Sequence, residues 1–253
     1  MTSALAEWFS GPRGAALLAL ESALVGETLE DCFGWEMLQV GAWGEGRGLL
    51  RGARTRSQAL AASSLVSGCD LVSRLSQLPI ASDSVDTVLL PHTLEFESDP
   101  YSVLREADRV LAGDGKLVIL AFAPWSPWGL RAATTRAGYP PGLRRLISER
   151  RLRDWLRLLG FEVEGGRFGC YRPAVDTQRW LERFAWMDKA GDRWWPIFGA
   201  VYFLVAVKRV HGMRLLEPGW RGTPARASQA VPSSSRSTVL TECEQALPAE
   251  RTE

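Results

Sequence analysis

The sequence has little net charge, few cysteines and no long apolar run. Its 30 lysine and arginine residues are balanced by 29 acidic residues, so the overall charge does not indicate a nucleic-acid partner. A membrane-spanning helix needs about 20 apolar residues, whereas the longest apolar stretch, residues 194–207, is shorter and contains Pro196 and Gly199. The four cysteines are far apart and form no CxxC pair, which argues against a metal site and a disulfide framework.

These absences predict a soluble protein of the reducing cytoplasm. The first residues also lack the basic segment and apolar stretch of a signal peptide. A chain of 253 residues fits one large α/β domain with an extension. From about residue 217 the composition changes to Pro, Gly, Ser, Arg and Thr without periodicity, which is typical of disorder. We therefore expect a helical extension at 1–34, one domain at 35–210 and a disordered tail at 217–253.

Residues 78–122 carry the clearest structural pattern in the chain. Residues 85–90 form a nearly continuous apolar run, as expected of a parallel strand that is buried on both faces. Asp99 and Pro100 then predict the start of a helix, in which apolar residues recur at helical spacing. A second apolar run follows at residues 116–122. Strand, helix and strand with short connections predict one βαβ unit, and such units build parallel sheets.

The same stretch carries a family resemblance. Its segments LPI, ASDSVDTVLLPHTLEF, ESDP and READRVLAGDGKLVIL resemble the second half of class I S-adenosylmethionine (SAM)-dependent methyltransferases of the small type 11 group. The match is strongest over residues 78–122 and looser over residues 35–208. The resemblance implies an α/β fold, a three-layer Rossmann-like sheet that is mostly parallel with an antiparallel last strand. It also implies a leading helix, which the apolar stripe at 12–31, with Ser10 as a candidate cap, independently predicts.

The resemblance implies SAM as the cofactor and suggests residues that contact it. Gly41 matches the first glycine of the family's loop after the first strand, where glycine lets the backbone approach the ligand. Gly44 and Gly46 follow, displaced by one residue, and Trp43 takes space that the family leaves empty. The remaining candidate contacts are Asp70, Leu78 and His92.

Two acceptors that the family uses for the nucleoside are absent. The predicted second strand, residues 56–61, ends in Ala-Ala-Ser-Ser instead of the acid that binds the ribose hydroxyls. Arg74 stands where the family has an acid for the adenine amino group, and a guanidinium has no acceptor capacity. Asp70 could substitute if the loop is arranged differently. The interval from Gly41 to Leu78 is also shorter than in the family, which predicts a truncated crossover helix.

His92 is the candidate catalytic residue. It follows the fourth strand, where the family places groups that face the transferred methyl, and a histidine there can act as a general base. The alternative is that it donates a hydrogen bond to the loop backbone, and we expect Glu95 beside it to be structural. The sequence shows no Ser/His/Asp triad, phosphate loop or metal cluster.

Three functions remain open. The first is a SAM-dependent methyltransferase with a small-molecule acceptor. In that case Trp125 and Trp128 could form a wall of the substrate pocket; the alternative is that they cover the edge of the sheet. The second is a catalytically degenerate binding or interaction protein of the same fold. The third, an RNA or protein methyltransferase, rests on the arginine-rich helix predicted at 143–159, which also fits a solvated face. The apolar patch at 194–198 fits core packing, dimer contact or lipid contact, and the oligomeric state stays open.

Overall fold

The computed structural model describes residues 3–32, 34–135, 138–173, 177–184, 186–194 and 198–210. The predicted tail and residues 195–197 of the apolar patch lie outside these ranges. Among the helices described, none is both long and apolar enough to cross a membrane.

A seven-stranded sheet forms the centre of the fold. Its strands are β1 (Glu36–Val40), β2 (Ser57–Ala62), β3 (Leu71–Val72), β4 (Val85–Pro91), β5 (Leu111–Phe122), β6 (Phe161–Gly169) and β7 (Val201–Lys208). Their order across the sheet is β3-β2-β1-β4-β5-β7-β6. The first five strands pair in parallel, and β7 runs antiparallel between β5 and β6. The predicted sheet, mostly parallel with an antiparallel last strand, is confirmed.

Helices cover both faces of this sheet. In the part of the chain that the structure describes they are α1 (Ser3–Ser10), α2 (Pro12–Glu30), α3 (Thr93–Phe96), α4 (Pro100–Val110), α5 (Pro127–Thr134), α6 (Glu149–Leu158), α7 (Gln178–Arg183) and α8 (Trp186–Trp194). Apolar residues of α4 and α6 form one core with the sheet, and those of α1, α2 and α5 form a second core on its other face. The predicted three-layer arrangement is therefore confirmed.

The βαβ unit predicted from residues 78–122 is present as β4, α4 and β5. Val88 and Leu90 of β4 are fully buried in the core on one face and Leu89 is fully buried in the core on the other, as a strand covered on both faces requires. The Asp99 side chain caps α4 by accepting a hydrogen bond from the Ser102 backbone N–H, and Pro100 occupies the first turn. The local sequence pattern is thus sufficient to specify this part of the sheet.

One predicted helix cap and one predicted helix start are wrong, although α2 begins at Pro12 as predicted. Gly11, not Ser10, is the N-cap of α2, because the Ser10 hydroxyl donates to the Ala6 carbonyl at the end of α1. The arginine-rich helix begins at Glu149 rather than residue 143. The backbone N–H groups of residues 144 and 145 instead donate to the Glu95 carbonyl, which holds that segment against the turn after β4.

The connection from β1 to β2 is short, as predicted. It contains a single 3₁₀ segment, Gly46–Gly52, in place of a full crossover helix, and no helix lies between β2 and β3. Leu49 and Leu50 of the 3₁₀ segment are buried in the same core as α2. The leading helix α2 is therefore part of the layer that covers β1.

Candidate functional site

A cavity of about 530 Å³ lies at the carboxyl end of the sheet, beside β1 and β4. The chain runs outward from β1 to β3 and then returns to β4 on the other side of β1, so the strand order reverses between these two strands. Ligands of open α/β sheets bind at such a switch point. The walls include residues 41–43 after β1, residues 62–64 after β2 and residues 91–93 after β4. Its volume falls within the range of about 300–1,000 Å³ that is typical of small-molecule sites.

Gly41 shapes the wall that follows β1. Its φ of 98° lies in the left-handed region, and a Cβ at this position would collide with the Thr93 hydroxyl. That hydroxyl donates to the Val40 carbonyl at 2.5 Å, and the Gln39 side-chain amide donates to the Gly41 carbonyl at 2.9 Å. The loop is therefore held from two sides with its backbone facing the cavity.

The other two candidate glycines have positive φ but do not line the cavity. Gly44 lies against the side chain of Leu18 on α2, and Gly46 lies against the Ser67 carbonyl. Both positions need glycine for a close approach within the protein. As contacts to SAM they stay predictions.

Asp70 and Leu78 also lie away from the cavity walls. The Asp70 carboxylate accepts the Leu60 backbone N–H at 2.8 Å and pairs with Arg47, so it closes the edge of β2. Leu78 is buried, and its N–H donates to Glu106 at 2.7 Å. Arg74 is exposed and is not a wall residue either. The side of the cavity next to β2 is lined by Ser63, Ser64 and Leu75, and no acid stands at the end of β2.

The His92 side chain is fully buried between two carboxylates. Its Nε2 lies 2.8 Å from Glu21 Oε1 on α2, and its Nδ1 lies 3.0 Å from Glu95 Oε2. The imidazole is covered by Trp43 on one side and Phe122 on the other, with ring centroids 4.3 and 4.1 Å away. We call these three residues the Glu21–His92–Glu95 cluster.

Both carboxylates of the cluster also accept a second hydrogen bond. The Trp43 indole N–H donates to Glu21 Oε2 at 2.6 Å, and the Phe122 backbone N–H donates to Glu95 Oε1 at 2.6 Å. Burial lowers the pKa of His92, but Glu21 and Glu95 outweigh it and raise that pKa to about 9. Burial raises the pKa of Glu95.

This geometry does not present His92 as a general base. A base needs an unprotonated nitrogen within reach of the acceptor, whereas both ring nitrogens of His92 face carboxylates and the ring has no exposed surface. The alternative role, a hydrogen bond from His92 to the loop backbone, is also wrong, because the two ring nitrogens bond Glu21 and Glu95 instead. Glu95 is structural in the expected sense, because it joins the turn after β4 to the end of β5.

Sequence reasoning missed Glu21. It occupies the buried face of α2 with Leu17, Val25 and Leu29, all spaced by four residues. An acid within such an apolar stripe needs a partner when it is buried, because an unpaired buried charge is strongly destabilising. That spacing was the available signal, although it could not identify His92 as the partner.

The two tryptophans proposed as pocket walls do not line the cavity. Trp125 is 81% exposed, whereas Trp128 is buried, stacks on Phe122 and donates its indole N–H to the Arg172 carbonyl at 3.0 Å. Glu97, which is partly buried, and the exposed Arg144 line the cavity instead. Within the described ranges, no group of three or more His, Cys, Asp or Glu residues could hold a metal ion.

Comparison with known proteins agrees with this architecture. Residues 49–119 match the model of a methyltransferase domain. The uncharacterized protein YafS of Escherichia coli K12 is 51% identical over 88 residues, which cover 34% of this chain and 36% of that protein. The uncharacterized protein Rv2003c of Mycobacterium tuberculosis H37Rv is 30% identical over 176 residues, covering 66% and 60%. The chain thus spans about a third and three fifths of these relatives' lengths.

A solved structure shares the fold. A SAM-dependent methyltransferase from Archaeoglobus fulgidus superposes with a TM-score of 0.54 at 17% identity, covering 76% of this chain and 94% of that one. A likeness at this identity concerns the fold alone, and the family model independently matches the 3₁₀ segment through most of β5. Together, the strand order and the superposition show that the described core has the class I methyltransferase fold, and residues 49–119 resemble a methyltransferase domain of the type 11 group.

Proposed function

We propose that this protein binds SAM in the cavity beside β1 and β4 and transfers its methyl group to a small molecule. The observation that carries the proposal is the cavity itself. It lies at the switch point of a methyltransferase sheet, and its wall contains a glycine, Gly41, whose φ and close contact with Thr93 exclude a side chain.

The residues present fit this cofactor, although the contact to its ribose is weaker than a carboxylate would give. The backbone at residues 41 and 42 lines the cavity without a bulky side chain, which suits the methionine part of SAM. Leu75 offers an apolar wall for the adenine. The Ser63 hydroxyl at the end of β2 can bond a ribose hydroxyl, because it both donates and accepts. A neutral hydroxyl binds less strongly than a carboxylate, so we expect weaker affinity than a ribose-binding acid would give.

SAM would supply an electrophilic methyl group that passes to a lone pair of the acceptor, while sulfur keeps the bonding electrons. The chain's own contribution is to bind and orient both molecules and to exclude bulk water. Glu97 borders the cavity and can hold a polar acceptor or receive its proton, a role that the buried His92 does not offer. The cavity volume favours a small acceptor over a polymer.

Calorimetric titration and thermal unfolding test the binding step. SAM or S-adenosylhomocysteine at 100 times its Kd should stabilise the protein by about 2.7 kcal/mol. For a domain of this size that corresponds to a rise in Tm of roughly 5–10 °C. Neither heat nor a Tm shift at millimolar ligand would contradict the proposal.

A pair of variants locates the nucleoside. Ser63→Asp restores an acid at the end of β2 and should strengthen binding by about 1–2 kcal/mol. Arg74→Asp is the matched control, because it introduces the same carboxylate at an exposed position away from the cavity walls. A stronger effect of Arg74→Asp would show that the adenine lies near Arg74, as the family pattern implies.

A catalytically silent binding protein is the second candidate. It is favoured by the missing acid after β2 and by the burial of the candidate base. Release of S-adenosylhomocysteine from SAM in the presence of a small-metabolite extract would support transfer. Release only with an RNA or protein fraction would instead support the third function, and tight binding without release in any fraction would support the silent protein.

A further inference from the structure

We infer that the Glu21–His92–Glu95 cluster holds a buried negative charge beside the cofactor cavity, and that this charge makes the site prefer a sulfonium ligand to its neutral thioether product. The inference rests on the proposed function, because it concerns which form of the cofactor the cavity favours. It assigns a specificity role to Glu21, a residue of the leading helix that does not itself line the cavity.

The charge follows from counting donors and acceptors. Each of the four carboxylate oxygens of Glu21 and Glu95 faces one donor: the two ring nitrogens of His92, the Trp43 indole N–H and the Phe122 N–H. An indole N–H and a backbone N–H cannot accept, so they leave no partner for a carboxylic acid proton on the oxygens they face. The shared proton therefore lies between His92 and one of the glutamates. Wherever it lies along those bonds, two carboxylates and one protonated imidazole sum to one negative charge.

Within the described residues, His92 is the one cation bonded to either carboxylate. The two carboxylates also act on neighbouring titratable groups. Burial, Asp188 and Glu21 together raise the pKa of the Cys170 thiol, and burial followed by Glu95 raises the pKa of Tyr202.

The two carboxylates of the cluster are separated from the cavity by protein rather than by water. Trp43 and His92 both border the cavity, and their rings lie against each other with centroids 4.3 Å apart. Both side chains are almost completely buried, so solvent ions screen this charge far less than a surface charge. A cation in the cavity is therefore attracted, whereas a neutral ligand of the same shape is not.

Methyl transfer removes that attraction. The methyl carbon leaves sulfur and bonds to the acceptor's lone pair, and sulfur keeps the electron pair of the broken bond. The positively charged sulfonium thereby becomes a neutral thioether. The cluster thus favours the cofactor before transfer and no longer holds its product afterwards, which reduces product inhibition.

Calorimetric titration with three ligands tests this preference. They are SAM, S-adenosylhomocysteine and an analogue that carries an ammonium group in place of the methylsulfonium. The test variant is Glu21→Gln with Glu95→Gln, in which a neutral His92 leaves no net charge. A single substitution is insufficient, because His92 could release its proton and restore the negative charge. The matched control is Glu27→Gln with Glu162→Gln, which removes two carboxylates that are each 62% exposed.

We expect the natural protein and the control to prefer both cationic ligands to S-adenosylhomocysteine. The double variant should lose about tenfold of this preference, the effect of one charge roughly 10 Å away at an effective dielectric constant near 20. Its Kd for S-adenosylhomocysteine should change little. The ratio of the Kd for S-adenosylhomocysteine to the Kd for each cationic ligand could instead be the same in the natural protein and in the folded double variant. That result would overturn this inference and leave the proposed function standing.

Three further outcomes keep the test decisive. If the double variant does not fold, the natural protein still decides, because tighter binding of S-adenosylhomocysteine than of both cationic ligands contradicts an attractive charge. If none of the three ligands binds the natural protein, the proposed function fails and this inference fails with it. A preference for SAM that the ammonium analogue does not share would assign the selectivity to the methyl group and overturn the role of charge.

Discussion

Raising the pH from 6.5 to 8.5 should lower the free energy of unfolding by about 2 kcal/mol through His92. In the folded protein Glu21 and Glu95 overcome the effect of burial and raise the pKa of His92 to about 9, whereas a histidine in the unfolded chain titrates near 6.5. The folded protein therefore keeps a proton that the unfolded chain releases. This contribution to stability is complete below pH 6.5 and is lost as the pH rises through 9.

The pH window isolates His92 from other groups. Burial raises the pKa of Cys32 and Cys170, and this has the same sign, but unfolded thiols ionise only near pH 8.5. Burial also raises the pKa of Glu95, whose effect begins near the ordinary pKa of 4.5. The contributions of the two thiols and of Glu95 to the pH dependence of stability therefore fall largely outside the interval from pH 6.5 to 8.5.

Urea unfolding at pH 6.5, 7.5 and 8.5 measures the effect. The natural protein should lose about 2 kcal/mol, or roughly 4–8 °C in Tm for a domain of this size. His92→Gln keeps a donor and an acceptor but cannot titrate, so its stability should be lower at pH 6.5 and change little over this interval. The chain has two histidines, and His211→Gln is the matched control. Equal pH dependence in the natural protein and His92→Gln would refute the reasoning.

Two further substitutions test the site. Trp43→Phe removes the N–H that bonds Glu21 and should destabilise the protein by about 1.5–3 kcal/mol in urea unfolding at pH 7. The control Trp125→Phe, at an 81% exposed position, should change stability little. Equal effects of the two substitutions would show that the indole hydrogen bond contributes nothing. Gly41→Ala forces a side chain into the left-handed region and against Thr93, so it should cost at least about 1–2 kcal/mol of stability and weaken SAM binding. Unchanged calorimetric affinity would place the cofactor away from this loop.

The sequence predicts those parts of the fold that depend on neighbouring residues. The apolar run at 85–90 and the Asp99-Pro100 helix start specify β4 and α4 because burial and capping are read within a few positions. The start of α6 was missed because the bonds that hold residues 144 and 145 come from Glu95, about fifty residues earlier. Tertiary contacts of this kind leave no local pattern.

The site was predicted in part for the same reason. The position of Gly41 in the cavity wall follows from its own backbone conformation, whereas its contact with SAM stays a prediction. The role of His92 was not found, because its environment is set by Glu21, 71 residues away on the leading helix, and by the Trp43 ring. A histidine after the fourth strand has the same local sequence whether it faces a ligand or two carboxylates. Its partners, rather than its position in the chain, decide between a base and a buried cation.

The insertion of β7 between β5 and β6 has a consequence for the order in which a growing chain can fold. Among the strands that the structure describes, β6 pairs with β7 alone, so it cannot join the sheet when it leaves the ribosome. Phe122 at the end of β5 pairs with Val201, and at about 5–20 residues per second the roughly 80 intervening residues take about 4–16 s to synthesise. During that time the apolar edge of β5 has no partner strand, and such edges promote aggregation. Slower translation between these two strands should therefore lower the yield of native protein more than an equal delay before β4.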